Sequence, residues 1–180
     1  NEYQNHKKSI GIARAGNVIG GGDWSSDRII KDIVESIVTN KSICLRYPFS
    51  IRPWQHVLEV LDAYLKLGVY ISNSYRKNHS ESYNFGPNIE DCISVRNFTE
   101  KVLNKWGSDI EIVDLKENDK HESGILLLDT TKARKKLKWK PKTNLDIGVS
   151  YTVDWYKGYY FNKNFNPFDE SLKQIEDFYK

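Results

Sequence analysis

The chain has 180 residues, of which 39% are hydrophobic and 28% are charged, and its formal net charge is +3. This length suits one or two small globular domains, and no apolar run approaches the roughly 20 residues that a membrane-spanning helix needs. The small positive charge does not by itself favour a nucleic-acid-binding protein, whose cations usually cluster at a higher isoelectric point.

Strands and helices are predicted to alternate along the first half of the chain. In order, this half predicts a strand at residues 10–15, a glycine-rich loop at 16–22, a helix from Ile29, a strand at 43–46, a turn or edge segment at 52–54 and a helix at 57–71. Ser25, Ser26 or Asp27 can cap the first helix. The inward face of the second helix is predicted to be Leu58, Leu61, Tyr64, Leu65, Gly68 and Ile71.

The second half continues the alternation. It predicts a strand at residues 83–85, a helix capped by Ser94, strands at 110–115 and 125–128, a short helix ending near Leu137, a helix at 145–160 and a weakly helical tail at 161–180. Strands that alternate with helices favour an α/β fold with a largely parallel sheet. Ligands of such sheets bind at the carboxyl ends of the strands, so the glycine-rich loop and the turn after Phe85 are the first places to look for a site.

Cysteine and histidine are too scattered for a disulfide framework or a metal motif. Cys44 and Cys92 lie far apart, and the four histidines follow no ligand spacing. Both cysteines fit reduced thiols. We therefore expect a cytoplasmic protein without a metal centre.

Arginines are the candidate ligands for a phosphate group, because a guanidinium pairs with two phosphate oxygens at once. The four candidates are Arg14, Arg28, Arg46 and Arg52. Arg52 stands out because Pro53 and Trp54 make its surroundings rigid and half-apolar. The densest basic run, residues 132–138, favours an exposed helix face over a polyanion site.

Other motifs stay open or are set aside. The glycine-rich loop is neither a P-loop nor the fingerprint Gly-x-Gly-x-x-Gly, so a flexible connection is as good an interpretation as a ligand loop. Tyr3 and Lys7 have a catalytic Tyr-x-x-x-Lys spacing, but they lie just before a strand without a helical apolar stripe. His56 and Glu59 share a helix face and are as readily a cap and a surface residue as a functional pair.

Several motifs, taken in order, resemble the CDP-glucose 4,6-dehydratase family of the extended short-chain dehydrogenases/reductases. They are residues 13–24, Asp27-Arg28, residues 51–59, residues 83–87, His121-Glu122 and residues 152–156. The resemblance implies the C-terminal part of a Rossmann-type parallel sheet plus a smaller α/β substrate-binding domain. By this resemblance the chain is divided into three parts. Residues 1–15 and 54–88 are Rossmann-side elements, residues 16–53 and 89–160 form the nucleotide-sugar-binding domain, and residues 161–180 form a helical tail.

The resemblance also implies a reaction and a set of site residues. The family enzyme is an NAD-dependent lyase of surface-polysaccharide biosynthesis that converts CDP-glucose to CDP-4-keto-6-deoxyglucose, as a homo-oligomer and without nucleic-acid or membrane partners. By resemblance the site residues are Asn17 and Arg52 on the diphosphate, Arg28 over the nucleotide, Asn88 and His121 near the nucleotide, and Gly16 against the nicotinamide.

Departures from the family pattern limit what the chain is expected to do. Lys31, Ser123 and Lys138 differ from it without removing an implied contact. Lys138 stands where the family has a glycine that closes the helix, and it can still take the left-handed conformation at a cost of roughly 1 kcal/mol. The family's glycine fingerprint and catalytic Tyr and Lys lie before the strand at residues 10–15. We therefore expect the second half of a chain about twice as long, inactive alone and prone to self-association or repacking at that strand. A non-catalytic nucleotide-sugar-binding remnant and a related epimerase or dehydratase remain alternatives.

Overall fold

The computed structural model describes residues 9–74, 80–115 and 124–180. The strands are β1 (Ile10–Ala15), β2 (Asn17–Ile19), β3 (Ile43–Leu45), β4 (Ile51–His56), β5 (Ser80–Phe85), β6 (Cys92–Ser94) and β7 (Ile112–Asp114). The helices are α1 (Ile29–Val38), α2 (Val57–Ser74), α3 (Val95–Trp106), α4 (Thr131–Leu137), α5 (Leu145–Phe161) and α6 (Pro167–Tyr179). The predicted α/β class is confirmed. None of the helices in the described ranges is both long and apolar enough to cross a membrane.

Within the described residues the strands form three small sheets. β1 pairs in parallel with β5, from Ile10 opposite Ser80 to Ala15 opposite Phe85. β4 is the middle strand of the second sheet, parallel to β2 and antiparallel to β6. β3 pairs in parallel with β7. Pairing is therefore largely parallel, as predicted, with β4 and β6 as the exception.

The prediction of a turn or edge segment at residues 52–54 is wrong, because these residues lie in the middle strand of their sheet. Proline is rare in such strands since it has no N–H to donate. Pro53 is tolerated because β4 changes partner there: residues 51–53 pair with β6, and residues 54–56 pair with β2. The strand predicted at residues 125–128 is also wrong. That run makes an isolated bridge from Ile125 to Ile51, because β2 takes over this edge of β4 from Trp54 onward.

Two apolar cores hold these elements together. The larger core packs α1, α3 and α5 against β3 and β4, with Ile33 and Phe98 fully buried. The smaller core packs α2 and α4 against β5 through Ala63, Tyr83 and Trp139. The larger core supports the strands on which the candidate site is built.

Helix α2 turns a different face inward from the one predicted. Leu61, Tyr64 and Leu65 are exposed, and the buried apolar residues of this helix include Leu58, Val60, Ala63 and Leu67. Apolar residues surround most of the helix, so their periodicity does not select one face.

Helix ends follow the sequence at two places and depart from it at a third. Ser94 caps α3 by accepting a hydrogen bond from the Asn97 N–H at 3.1 Å, and Lys138 ends α4 in the left-handed region at φ 53°. Both predictions are confirmed. The N-cap of α1 is Arg28, without a side-chain hydrogen bond, so the predicted cap by Ser25, Ser26 or Asp27 is wrong. Asp27 takes a left-handed conformation at φ 58°, which keeps these three residues in the preceding loop.

Glu59 is buried in α2 and ties this helix to the turn before α5, so the surface interpretation is wrong. Its Oε1 accepts hydrogen bonds from the Lys142 N–H at 2.9 Å, the Thr143 N–H at 2.6 Å and the Thr143 hydroxyl at 2.8 Å. Burial raises the pKa of Glu59, and the bonds from Thr143 and Lys142 act in the opposite direction. Its carboxylate is therefore a structural acceptor.

Glu59→Ala should lower the free energy of unfolding by about 2–3 kcal/mol, because buried N–H and hydroxyl donors lose their acceptor. Urea denaturation followed by circular dichroism measures this loss. Glu100→Ala is the matched control, since the Glu100 carboxylate pairs with Arg96 at the surface and such pairs contribute at most about 1 kcal/mol. An equal loss in both variants would contradict the assigned role.

Candidate functional site

A cleft of about 600 Å³ lies against β2, β4 and the loop of residues 20–28. Gly16, Asn17, Arg28 and Arg52 all line it. These residues come from three separate stretches of the chain, and the fold brings them to one cavity. The cleft is therefore the candidate site.

Gly16 and Asn17 lie where the chain passes from β1 to β2. Asn17 is the first residue of β2 and lies opposite Trp54 of β4. A Cβ atom on Gly16 would come within 2.4 Å of the Pro53 carbonyl oxygen. Packing therefore requires glycine at this position, and the close approach sets Asn17 beside β4.

Arg52 and Trp54 form the β4 wall of the cleft, since alternate residues of a strand point to the same side. Arg52 is only 7% exposed, and its Nη1 donates to the Ile51 carbonyl oxygen at 2.9 Å. The Trp54 indole N–H donates to the Ile93 carbonyl oxygen at 3.0 Å, and its ring stacks on Phe98 with centroids 4.0 Å apart. This wall holds a guanidinium on a rigid apolar support.

The loop of residues 20–28 is anchored to α5. The Tyr156 hydroxyl donates to the Asp23 carbonyl oxygen at 2.9 Å, and Trp24 contacts the Tyr156 ring edge-on at 5.1 Å between centroids. A Cβ atom on Gly21 would come within 2.2 Å of the Trp155 ring. These contacts favour the ligand-loop interpretation over a flexible connection.

The cleft also contains Arg46, one of the four arginines predicted as phosphate ligands, together with charged and aromatic residues that had not been assigned to a site. Arg46 and Tyr47 follow β3 directly and line the cleft together with Asp27 and Asp32. The position of Tyr47 at the carboxyl end of a parallel strand is a signal that could have found it. Asp27 belongs to the Asp27-Arg28 motif, which gave it no role in the site, and no motif marks Asp32. Burial raises the pKa of Asp32, and the positive charge of Lys31 opposes this shift.

Asn88 does not join the other site residues in this cleft. It lines a second cavity of about 370 Å³ that also contacts Pro53, and its Oδ1 accepts from Arg134 Nη2 at 2.9 Å. Pro53 points to the opposite side of β4 from Arg52 and Trp54. His121, Tyr3 and Lys7 lie outside the described residues.

Basic residues of α4 make contacts within the chain. Lys132 and Lys136 pair with Glu81 at 2.7 Å and 2.8 Å. Burial alone would raise the pKa of Glu81, but hydrogen bonds from Lys132 and Lys136 hold it at about 2. These pairs favour the exposed-face interpretation of residues 132–138. In the described ranges, no three His, Cys, Asp or Glu side chains converge on a position that could hold a metal ion.

His56 ends β4 beneath the start of the loop. It is 3% exposed, and its Nδ1 accepts a long hydrogen bond of 3.4 Å from the Leu58 N–H, so the ring caps α2 and carries its proton on Nε2. That atom has no hydrogen-bond partner among the described residues, and a Cβ atom on Gly20 would lie 3.8 Å from it. Burial lowers the pKa of His56 to about 4.

Comparison with known proteins supports the resemblance seen in the motifs. No protein-family model matches the chain. The chain is 41% identical over 157 residues to the CDP-glucose 4,6-dehydratase of Salmonella typhimurium, covering 87% of this chain and 44% of that enzyme. The predicted resemblance is confirmed, and the chain is a partial homologue of that enzyme.

Solved structures show the same fold. The UDP-glucuronic acid 4-epimerase of Bacillus cereus, solved with UDP-glucuronic acid and NAD, matches with a TM-score of 0.71 and 18% identity over 88% of this chain and 48% of that one. The dTDP-glucose 4,6-dehydratase of Bacillus anthracis, solved with NAD, matches with a TM-score of 0.64 and 22% identity over 87% of this chain and 46% of that one. The chain thus spans less than half the length of the relatives it matches.

Buried His56 should make stability depend on pH. Its pKa is about 4 in the folded chain, against an ordinary value of 6.5, so the unfolded chain binds more protons between these values. The contribution of neutral His56 to the free energy of unfolding should be fully present above pH 6.5. It should be lost as the pH falls toward 4, at about 1.4 kcal/mol per pH unit and about 3 kcal/mol in total.

Urea denaturation across this pH range measures the effect. His56→Gln removes the titrating group but keeps a polar side chain, so the variant should lose this part of the pH dependence. Curves of equal slope for the two proteins would show that His56 is not the responsible group.

Proposed function

We propose that the chain is the nucleotide-sugar-binding portion of a CDP-glucose 4,6-dehydratase, which converts CDP-glucose to CDP-4-keto-6-deoxyglucose for surface-polysaccharide synthesis. The observation that carries this proposal is the cleft in which Gly16, Asn17, Arg28 and Arg52 meet. The resemblance implies that these residues contact one ligand. The 41% identity to a CDP-glucose enzyme favours a cytidine sugar over other nucleotide sugars.

The residues of the cleft suit the diphosphate of such a ligand. A nucleotide-sugar diphosphate carries two negative charges and accepts hydrogen bonds along its length. Buried Arg52 can offer its planar fork to two phosphate oxygens, and the Asn17 amide can donate from the adjoining strand. Arg28, with a side chain 65% exposed, would approach from the solvent side. The cleft therefore supplies binding and orientation.

The described residues do not form an NAD site by themselves. The glycine fingerprint is absent from the sequence, and contact with Pro53 already explains why residue 16 is glycine. Gly16 would at most border a nicotinamide, and no chemical step is assigned to this chain. In the proposed division, residues 1–15 and 54–88 belong to the cofactor-binding side of the complete, homo-oligomeric enzyme.

The 180-residue chain should bind CDP-glucose without converting it, because the described residues supply neither a glycine fingerprint nor an assigned acid/base pair. Incubation with CDP-glucose and added NAD, followed by chromatography and mass spectrometry, would detect CDP-4-keto-6-deoxyglucose. Turnover by the purified chain would contradict its assignment as the binding portion alone.

Arg52→Ala should weaken CDP-glucose binding about 10- to 150-fold, because a hydrogen bond to a charged group contributes about 1.5–3 kcal/mol. Arg52→Lys keeps the charge but loses the bidentate fork, so it should recover only part of the affinity. Isothermal titration measures each dissociation constant, and circular dichroism verifies that the variants fold.

Arg14→Ala is the matched control for this titration. Arg14 is exposed on β1 and does not line the cleft, so its removal should leave the dissociation constant within about twofold. Parallel titrations with UDP-glucose and GDP-glucose measure selectivity for the base. Equal affinity in Arg52→Ala and the unmodified chain would refute diphosphate binding by Arg52.

A further inference from the structure

The charges that line the cleft balance one another. Its described lining contains Arg28, Arg46 and Arg52 together with the carboxylates of Asp23, Asp27 and Asp32. A diphosphate with two negative charges would thus meet a cleft whose described charged side chains sum to zero. Binding of the diphosphate therefore depends on whether the ion pairs between these arginines and aspartates can open.

Two of the arginines are paired with these carboxylates. Arg46 Nη2 lies 3.1 Å from Asp27 Oδ1, and Arg28 Nε lies 3.6 Å from Asp23 Oδ2. The four side chains are between 47% and 79% exposed. Ion pairs this exposed are individually weak, so both pairs can open without a large loss of stability.

The two sides of each pair differ in side-chain length and in how they are anchored. Asp23 belongs to the anchored part of the loop: its Oδ1 accepts from the Ser25 N–H at 3.0 Å, and its carbonyl oxygen accepts from Tyr156. Asp27 has a short side chain on the same loop. The arginines carry long side chains with several rotatable bonds, so they are the partners that can turn toward a ligand.

We propose that Asp23 and Asp27 are internal counter-ions of Arg28 and Arg46, and that a diphosphate displaces both carboxylates when it enters the cleft. A carboxylate and a phosphate present similar pairs of oxygens, so they compete for the same guanidinium fork. The two aspartates thereby lower the affinity for every anion and select ligands with enough charge to displace both. This inference deepens the proposed function and rests on it for the identity of the ligand.

The test compares dissociation constants for CDP-glucose and for inorganic pyrophosphate by isothermal titration. Asp23→Asn and Asp27→Asn should each tighten binding of both probes about three- to tenfold, because a competing charge close to the anion is removed. Asparagine tolerates the left-handed conformation of residue 27, so the loop should keep its shape. Unchanged or weaker binding in both variants would overturn the proposal.

Asp154→Asn is the matched control. Asp154 is 53% exposed and lies 3.6 Å from Lys105, which resembles the Asp23–Arg28 pair in distance and exposure, and it does not line the cleft. The variant changes the net charge by the same amount, so it should leave both dissociation constants within about twofold. Equal tightening in Asp154→Asn would assign the effect to overall charge and overturn the proposal.

A double-variant cycle separates exchange of partners from simple repulsion. If Asp27 acts by holding Arg46, the gain from Asp27→Asn should vanish in an Arg46→Gln background. A gain that persists undiminished would mean that Asp27 only repels the anion, and would overturn the exchange.

The two probes distinguish this inference from the proposed function. Tighter pyrophosphate binding without CDP-glucose binding in any variant would support the exchange and refute the nucleotide-sugar site. If Arg52→Ala weakens CDP-glucose binding but Asp23→Asn and Asp27→Asn leave it unchanged, the nucleotide-sugar site is supported and the exchange is refuted. Absence of pyrophosphate binding in all variants would refute the exchange.

Discussion

The close approach of Gly16 to Pro53 is the constraint on which the candidate site depends. A Cβ atom at residue 16 would come within 2.4 Å of the Pro53 carbonyl oxygen, so a larger residue would push the β1–β2 connection away from β4. Pro53 itself is acceptable because β4 changes its pairing partner there. Together these features set Asn17 and Arg52 on neighbouring strands of one sheet, and the rest of the cleft is arranged around that pair.

The packing of α5 completes the cleft from the other side. Tyr156 and Trp155 hold the loop of residues 20–28 by a hydrogen bond and by ring contacts that leave no room for a side chain at residue 21. The same loop carries Asp23, Asp27 and Arg28. The aromatic residues of α5 therefore act on the charges of the site indirectly, because they fix the backbone from which those charges extend.

Local features of the chain were predictable where one physical cause dominates. Ser94 has a side chain that can cap a helix, and Lys138 stands where a helix must end before Pro141, so both helix ends follow from nearby residues. The α/β alternation also agrees with expectation, and Gly16, Asn17, Arg28 and Arg52 line one cleft. The buried face of α2 could not be chosen, because Leu61 and Leu65 are as apolar as Leu67. The positions of β1, β5 and α4 decide which face is buried.

Tertiary context likewise explains the residues that sequence reasoning missed. The contact between Asp27 and Arg46 could not be read from nearby residues, because Arg46 reaches the loop from the end of β3. Pro53 argued against a central strand, and only the change of partner along β4 removes the objection. Asn88 follows a strand end, as a ligand-binding residue should, yet it faces a different cavity because β4 separates the two.

The larger and smaller cores differ in how well their apolar residues are shielded from solvent. The larger core, beneath the cleft, lies between three helices and strands β2, β3 and β4. At the smaller core, parallel strands β1 and β5 leave Ile12 exposed, and α2 leaves Leu65 and Val69 exposed, although parallel sheets are normally covered on both faces. The cleft walls at β2, β4 and the anchored loop rest on the larger core. The walls of the cleft are therefore held in place by contacts within this chain.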